Sequence, residues 1–77
     1  MKYFVKRKNI IEHFAHEIAK LQWKADNFYN DGNKEMSSYI LSKSDALMKL
    51  ASNIGIGKEV YIRSIEIYDY RNSGREG

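Results

Sequence analysis

Two histidines and two glutamates lie close together near the start of the chain, in the segment Glu12-His13-Phe14-Ala15-His16-Glu17. Side chains three and four residues apart converge on a helix, and imidazole with carboxylate is a combination that binds zinc. The segment lacks the His-Glu-x-x-His order of metalloproteases, and no distant third ligand is evident. We therefore interpret Glu12 with His16, and His13 with Glu17, as pairs on a solvated helix face. We expect no metal ion and no other cofactor.

The residues needed for nucleophilic catalysis are not grouped in this sequence. The chain has no Cys, and a nucleophilic Ser needs a neighbouring base and an acid that orients it. The serines of the middle segment are scattered around one predicted helix, at Ser37, Ser38, Ser42, Ser44 and Ser52. The glycines of Gly55-Ile56-Gly57 follow a predicted helix and precede a predicted strand, which is the reverse of a phosphate-binding loop. We expect no enzymatic activity.

Basic residues are concentrated at the N-terminus. Residues 1 to 8 include four basic residues and no acidic one, whereas the rest of the chain has 9 basic and 10 acidic residues. Basic groups bind phosphates, and aromatic rings stack on unpaired bases. An alternative function is therefore nucleic-acid binding by the basic segment and the C-terminal tyrosines, through Lys2, Lys6, Arg7 and Lys8 with Tyr61, Tyr68 and Tyr70. A solvated basic edge and tyrosines packed in a strand would explain the same residues.

The composition predicts one small domain. With 77 residues, a net charge of +3, 43% hydrophobic and 30% charged residues, the chain supplies one compact core. Because Cys is absent, disulfides and thiolate zinc sites are excluded as sources of stability. No apolar stretch has the length of a signal-peptide core or of a membrane span, so we expect a cytoplasmic protein that does not bind membranes. We assign residues 1–70 to the domain and residues 71–77 to a flexible tail.

Two amphipathic helices are predicted in the first two thirds of the chain. The first should run from Ile10 to Tyr29, with Asn9 as its N-cap and Glu12 completing a capping-box-like arrangement. Its apolar positions follow helical spacing, at Ile11, Phe14, Ile18, Leu21, Ala25 and Phe28. The second should run from residue 34 to residue 53, and its apolar series is Met36, Ile40, Leu47, Leu50 and Ile54. The short loop between them predicts an antiparallel hairpin. Lys43 should lie beside the seam, with its ammonium group at the edge.

The segment from Val60 to Tyr70 is rich in β-branched and aromatic residues, and it predicts a strand. A bulge near Arg63-Ser64 would be needed to keep its apolar residues on one face. A helix is the open alternative, because Glu59, Ile62, Ile65 and Asp69 approximate helical spacing. With a short strand at residues 3–5, the prediction is an α+β fold: an antiparallel helical hairpin with a two-stranded antiparallel ribbon, in the order β-α-α-β.

Several apolar side chains are not accounted for by the hairpin seam. Trp23 falls roughly opposite the predicted seam of the first helix, and Leu41 and Met48 form a second patch on the other helix. Either the ribbon or a partner could cover them. Because Trp is enriched at binding hot spots, we expect a protein-binding surface that includes Trp23, Leu41, Met48, Tyr61 and Tyr68.

The hairpin carries aromatic, small and turn-forming residues in a characteristic spacing, at Ala25, Phe28, Tyr29, Gly32, Asn33, Tyr39, Lys43, Ala46 and Leu47. Over about half of the chain it resembles the helical hairpins of small uncharacterised proteins encoded by bacteriophages and mobile elements of Gram-positive bacteria. It is also loosely similar to a tetratricopeptide helix pair, but that architecture stacks several repeats and this chain has room for one. The phage resemblance implies a non-catalytic protein that binds a host macromolecule in the host cytoplasm.

The leading prediction is therefore a non-enzymatic protein-binding module. The resemblance implies an inhibitor of a host defence enzyme, such as the anti-CRISPR proteins that act on defence nucleases. Lys6, Arg7 and Lys8 would then add electrostatic steering toward the partner. Besides the nucleic-acid alternative, a further class is a self-associating homodimer.

Overall fold

The computed structural model describes residues 6–76, with side chains described for residues 6–72. Its architecture is three α-helices: α1 (Arg7–Asn30), α2 (Lys34–Asn53) and α3 (Gly57–Glu76). Within residues 6–76 the chain forms no strand. The predicted α+β fold with a two-stranded ribbon is therefore wrong, and the fold is all-α. The first proposed strand, at residues 3–5, lies outside the described residues.

Helix α1 begins three residues earlier than predicted and ends one residue later, at Asn30. Its N-cap is Lys6, which makes no side-chain capping bond, and the backbone N–H of Asn9 already donates to the carbonyl oxygen of Lys6 at 2.9 Å. The predicted capping role of Asn9 is therefore wrong. The helix stops before Gly32, whose φ of 87° is a left-handed conformation that favours glycine.

The predicted bounds of α2 are confirmed, at Lys34 and Asn53. Asn33 caps its N-terminus, because the Asn33 side chain accepts a hydrogen bond of 3.1 Å from the backbone N–H of Met36. The helix ends before Gly55, which has a φ of 86°. These two signals are local to the chain, which explains why the sequence located this helix correctly.

The three helices form an up-down-up bundle. The three-residue connection between α1 and α2 makes them an antiparallel hairpin, as predicted. Helix α3 then runs parallel to α1, because its successive residues pair with successive residues of α1. Glu59 bonds to Arg7, Arg63 to Glu12, and Tyr68 to Asp26.

The bundle core is small and rich in small side chains. Its central cluster is Ile18, Ala51, Ile56 and Val60, each at most 4% exposed. Alanine and serine supply most of the other buried positions, at Ala15, Ala19, Ala25, Ser37, Ser44 and Ser64. Small residues at helix contacts let the backbones approach closely. The buried serine side chains create no unsatisfied polar atoms among the described residues.

Helix α3 replaces the predicted strand because its buried positions follow helical spacing. Val60 and Ser64 are 0% and 2% exposed, and Ile67 is half-buried, so positions four and three apart face the bundle. The hydroxyl of Ser64 donates to the carbonyl oxygen of Tyr61 at 2.8 Å, which satisfies it inside the bundle. Because Ser64 is polar, the spacing of apolar residues alone does not identify this face of α3 as buried. The helix continues to Glu76, through residues 71–76 where a tail was expected.

Among the described residues, none of the helices α1 to α3 combines the length and apolar character needed to span a membrane.

Candidate protein-binding groove

An open groove runs between α1 and α2 at the end of the bundle that holds their connecting turn. We call it the α1–α2 groove, and its volume is about 500 Å³. It is lined by Leu21, Lys24, Asn27, Phe28 and Asp31 on the α1 side and by Met36, Tyr39, Ile40 and Lys43 on the α2 side. Apolar side chains thus form its floor, and charged side chains stand at its rim.

The groove is open because α3 packs on a different side of α1. Glu12, which bonds to α3, lies on the same side of α1 as Ala15 and Ala19. Phe28 is nine residues from Ala19, which is about 180° around the helix. Helix α3 therefore leaves the Phe28 side uncovered.

Beyond the groove lining, further apolar residues are exposed on the same side of α2. Met36, Lys43, Leu50 and Ile54 are seven, seven and four residues apart, so they fall on one side of α2. Met36, Leu50 and Ile54 are 39%, 49% and 53% exposed, and Tyr39 beside them is 56% exposed. The sequence assigned Met36, Leu50 and Ile54 to the buried seam, and the structure shows that they are only partly covered. Exposed apolar residues beside an apolar groove are typical of an interaction surface.

Two lysines stand on opposite walls of the groove. Lys24 belongs to α1 and Lys43 to α2, and both side chains are exposed. The ammonium of Lys43 lies 5.0 Å from the ring centre of Tyr39, as expected for a lysine whose stem follows apolar surface. The carboxylate of Asp31 lies at the end of the groove next to the turn.

The predicted binding residues do not lie in this groove. Leu41 is 46% exposed, but it is two residues after Tyr39 and therefore about 200° away around α2. Met48 packs against the core cluster, and Tyr61 is 56% exposed on α3. The hydroxyl of Tyr68 donates to Oδ2 of Asp26, and this bond raises the pKa of the Tyr68 hydroxyl.

Trp23 lies on yet another side of the bundle. It is half-buried, and the guanidinium carbon of Arg71 on α3 lies 4.8 Å from its ring centre. The structure therefore distributes the predicted set over all three helices instead of joining it in one patch. Helix α3 thus covers part of the Trp23 side chain, which the hairpin seam alone does not account for.

The basic N-terminal cluster is partly neutralised. Arg7 donates through Nη2 to Oε2 of Glu59 at 2.6 Å and to the carbonyl oxygen of Gly55 at 3.3 Å. The bond from Arg7 lowers the pKa of the Glu59 carboxyl. Lys6 and Lys8 are exposed, and Lys2 lies outside the described residues.

The tyrosines of the nucleic-acid alternative do not form one stacking platform. Tyr61 and Tyr70 are nine residues apart on α3, so they face opposite sides of that helix. The hydroxyl of Tyr68 is bonded to Asp26. The strand that would have aligned these rings is absent.

The histidine and glutamate segment of α1 makes polar contacts through Glu12. Nε2 of His16 lies 3.4 Å from Oε1 of Glu12, and Arg63 donates to both carboxylate oxygens of Glu12. The bond from Arg63 lowers the pKa of Glu12, and the same bond raises the pKa of Arg63. Among the described residues no three His, Asp or Glu side chains are grouped closely enough to hold a metal ion.

Sequence reasoning missed the groove because it assigned every seam residue to the core. The available signal was the excess of apolar residues on α2: Met36, Leu50 and Ile54 exceed what one facing helix can cover.

Comparison with protein-family models, with curated proteins and with solved structures finds no match to this chain.

Proposed function

We propose that this chain is a protein-binding module whose binding surface is the α1–α2 groove. One observation carries the proposal: an apolar groove between α1 and α2 stays open on the side that α3 does not cover. Met36 and Tyr39 are exposed in the groove, and Leu50 and Ile54 are exposed farther along the chain on the same side of the hairpin, while the small core residues are buried. Covering such a row with a partner would remove apolar surface from water.

The residue types of the groove support this proposal. Aromatic residues and Met are enriched at protein interfaces, and Phe28, Met36 and Tyr39 lie together here. The charged residues stand at the rim, where an interface normally keeps its polar groups. The narrower expectation, an inhibitor of a host defence enzyme, depends on the resemblance of the hairpin alone and stays a prediction.

The test is affinity capture with matched variants. The unmodified chain, Tyr39→Ser and Tyr61→Ser are each immobilised and exposed to a lysate of the organism that encodes the chain, once without and once with nuclease treatment. Tyr39 and Tyr61 are both 56% exposed, so the two substitutions remove equal aromatic surface from different faces. We expect the unmodified chain and Tyr61→Ser to retain the same proteins and Tyr39→Ser to lose them.

Two outcomes would contradict the proposal. Loss of the captured proteins in Tyr61→Ser but not in Tyr39→Ser would move the binding surface to α3. Loss of all captured material on nuclease treatment would instead favour the nucleic-acid alternative. Far-UV circular dichroism of each variant confirms that the bundle is folded before the capture is interpreted.

A further inference from the structure

We infer that the occupant of the α1–α2 groove is an amphipathic helix of another protein, with carboxylate side chains on both flanks of its apolar stripe. This inference depends on the proposed function and adds the chemistry of the partner. Its basis is the placement of Lys24 and Lys43 on opposite walls of an apolar groove between antiparallel helices.

The shape of the groove favours a helix. Helices pack by placing the side-chain ridges of one into the grooves of another, and two antiparallel helices already form such a channel. On its other side this same pair is covered by α3. A partner helix on the open side would repeat the arrangement and would contact the row of Met36, Leu50 and Ile54 with its apolar stripe.

The charges of the groove favour acidic flanks. Lys20 lies 4.0 Å from Glu17, and Lys49 lies 3.6 Å from Asp45, so these lysines have carboxylate neighbours on their own helices. Within residues 6–72, neither Lys24 nor Lys43 has a carboxylate within 4.0 Å. A helix seated between them presents one flank to each wall, so carboxylates on both flanks would face both ammonium groups.

Asp31 limits where acidic residues can lie along the partner helix. Its carboxylate lies in the groove at the turn end, beyond Lys24. A partner carboxylate beside Asp31 would be repelled, whereas a neutral or basic residue would not. The acidic flanks should therefore lie beside Lys24 and Lys43 and end before the turn.

The same charges disfavour a second copy of this chain in the groove. A two-fold symmetric dimer places the same surface on both subunits. Two such grooves face to face would bring the lysines of one copy toward those of the other, with Asp31 as the carboxylate among the lining residues. We therefore assign the groove to a different, acidic partner.

The test uses two synthetic helical peptides of about 20 residues. They share one leucine stripe, and they carry either Glu or Gln at every position that flanks the stripe. Binding of each dye-labelled peptide to the full chain is followed by fluorescence anisotropy. We expect the Glu peptide to bind about tenfold more tightly than the Gln peptide at low salt. This difference should shrink as NaCl is raised.

Matched variants locate the effect. In Lys24→Gln/Lys43→Gln the preference for the Glu peptide should disappear, and in Lys49→Gln/Lys58→Gln it should remain, because those lysines lie outside the groove lining. Amide chemical shifts should change at Leu21 and Tyr39 and not at Tyr61. Both double variants change the net charge equally, so a general charge effect would act on both.

Equal binding of the two peptides would overturn the inference, as would a preference that survives in Lys24→Gln/Lys43→Gln. A dimer detected by sedimentation, and strengthened by that double variant, would assign the groove to a second copy instead. If Tyr39→Ser loses its captured proteins while the peptides show no preference, the proposed function stands and only the acidic partner helix is refuted.

Discussion

Glu12 of α1 and Arg63 of α3 form a two-bond ion pair. Nε of Arg63 donates to Oε2 of Glu12 at 2.7 Å, and Nη2 donates to Oε1 at 3.3 Å. Arg63 also bonds Glu66 on its own helix at 3.1 Å, which holds the guanidinium in place. With the Arg7–Glu59 pair one turn nearer the N-terminal end, this contact fixes the register of two parallel helices.

Acid should weaken the bundle through these two pairs. The bonds from Arg63 and Arg7 hold the pKa values of Glu12 and Glu59 below their ordinary value of 4.5. The unfolded chain therefore binds these protons more readily, so the stabilisation is present above the ordinary value and is lost as pH falls through the lowered values. Urea unfolding at about pH 7 and about pH 3 measures the loss, which should be smaller in Glu12→Gln/Glu59→Gln.

The matched control for the acid experiment is Asp45→Asn. Asp45 pairs with Lys49 one turn away on α2, at 3.6 Å, and both side chains are largely exposed. Such a pair contributes little to stability. The control should therefore keep the acid sensitivity of the unmodified chain, and an equal reduction in both variants would contradict the assignment to the α1–α3 pairs.

Removing the Tyr68 hydroxyl should destabilise the bundle near the C-terminal part of α3. Tyr68→Phe loses the bond to Asp26, which should lower the free energy of unfolding by about 1 kcal/mol. The bond raises the pKa of Tyr68 above its ordinary value of 10.0, so its stabilisation is present below that pH and is lost as pH rises through the raised value. The variant should be less sensitive to alkali. Tyr61→Phe, on an exposed ring, should be neutral.

Gly57 should be intolerant of a larger side chain because α3 starts against the end of α2. A Cβ at Gly57 would lie 3.0 Å from Cα of Ser52 and 3.2 Å from its Cβ, with the Ser52 hydroxyl closer still. We expect Gly57→Ala to cost about 1 to 3 kcal/mol of unfolding free energy. Adding Ser52→Ala should recover part of that cost, and a Gly57→Ala chain as stable as the original would refute this contact.

Ile18 should be the most sensitive core position. It is 1% exposed and is among the largest fully buried side chains. Ile18→Ala should cost about 2 to 5 kcal/mol, against a total stability of roughly 4 to 12 kcal/mol for a domain of this size. Thermal unfolding followed by circular dichroism tests this. Ile62→Ala is the control, because Ile62 is 49% exposed on α3 and its truncation should change stability by less than about 0.5 kcal/mol.

The first two helices were predictable because their signals are local. Asn33 and Gly55 mark the limits of α2, and Gly32 ends the connection after α1. The α1–α2 groove and the third helix were not predictable in this way. Ile62 and Ile65 supported the helical alternative for the C-terminal segment, yet they are 49% and 41% exposed, and the buried face of α3 is built on Val60 and Ser64.

Residue order alone therefore determined the hairpin and its turn, because caps, glycines and apolar spacing act within a few residues. It also excluded cysteine chemistry, because the chain has no Cys. Only the tertiary structure decided that α3 packs on the side of α1 that carries Glu12, together with the buried Ala15 and Ala19. Alanine contributes little to an apolar sequence pattern. In the bundle it matters because its short side chain lets the backbones of two helices approach closely. Because α3 packs on that side of α1, it leaves Met36, Leu50 and Ile54 exposed. It also leaves open the α1–α2 groove, to which we assign the function.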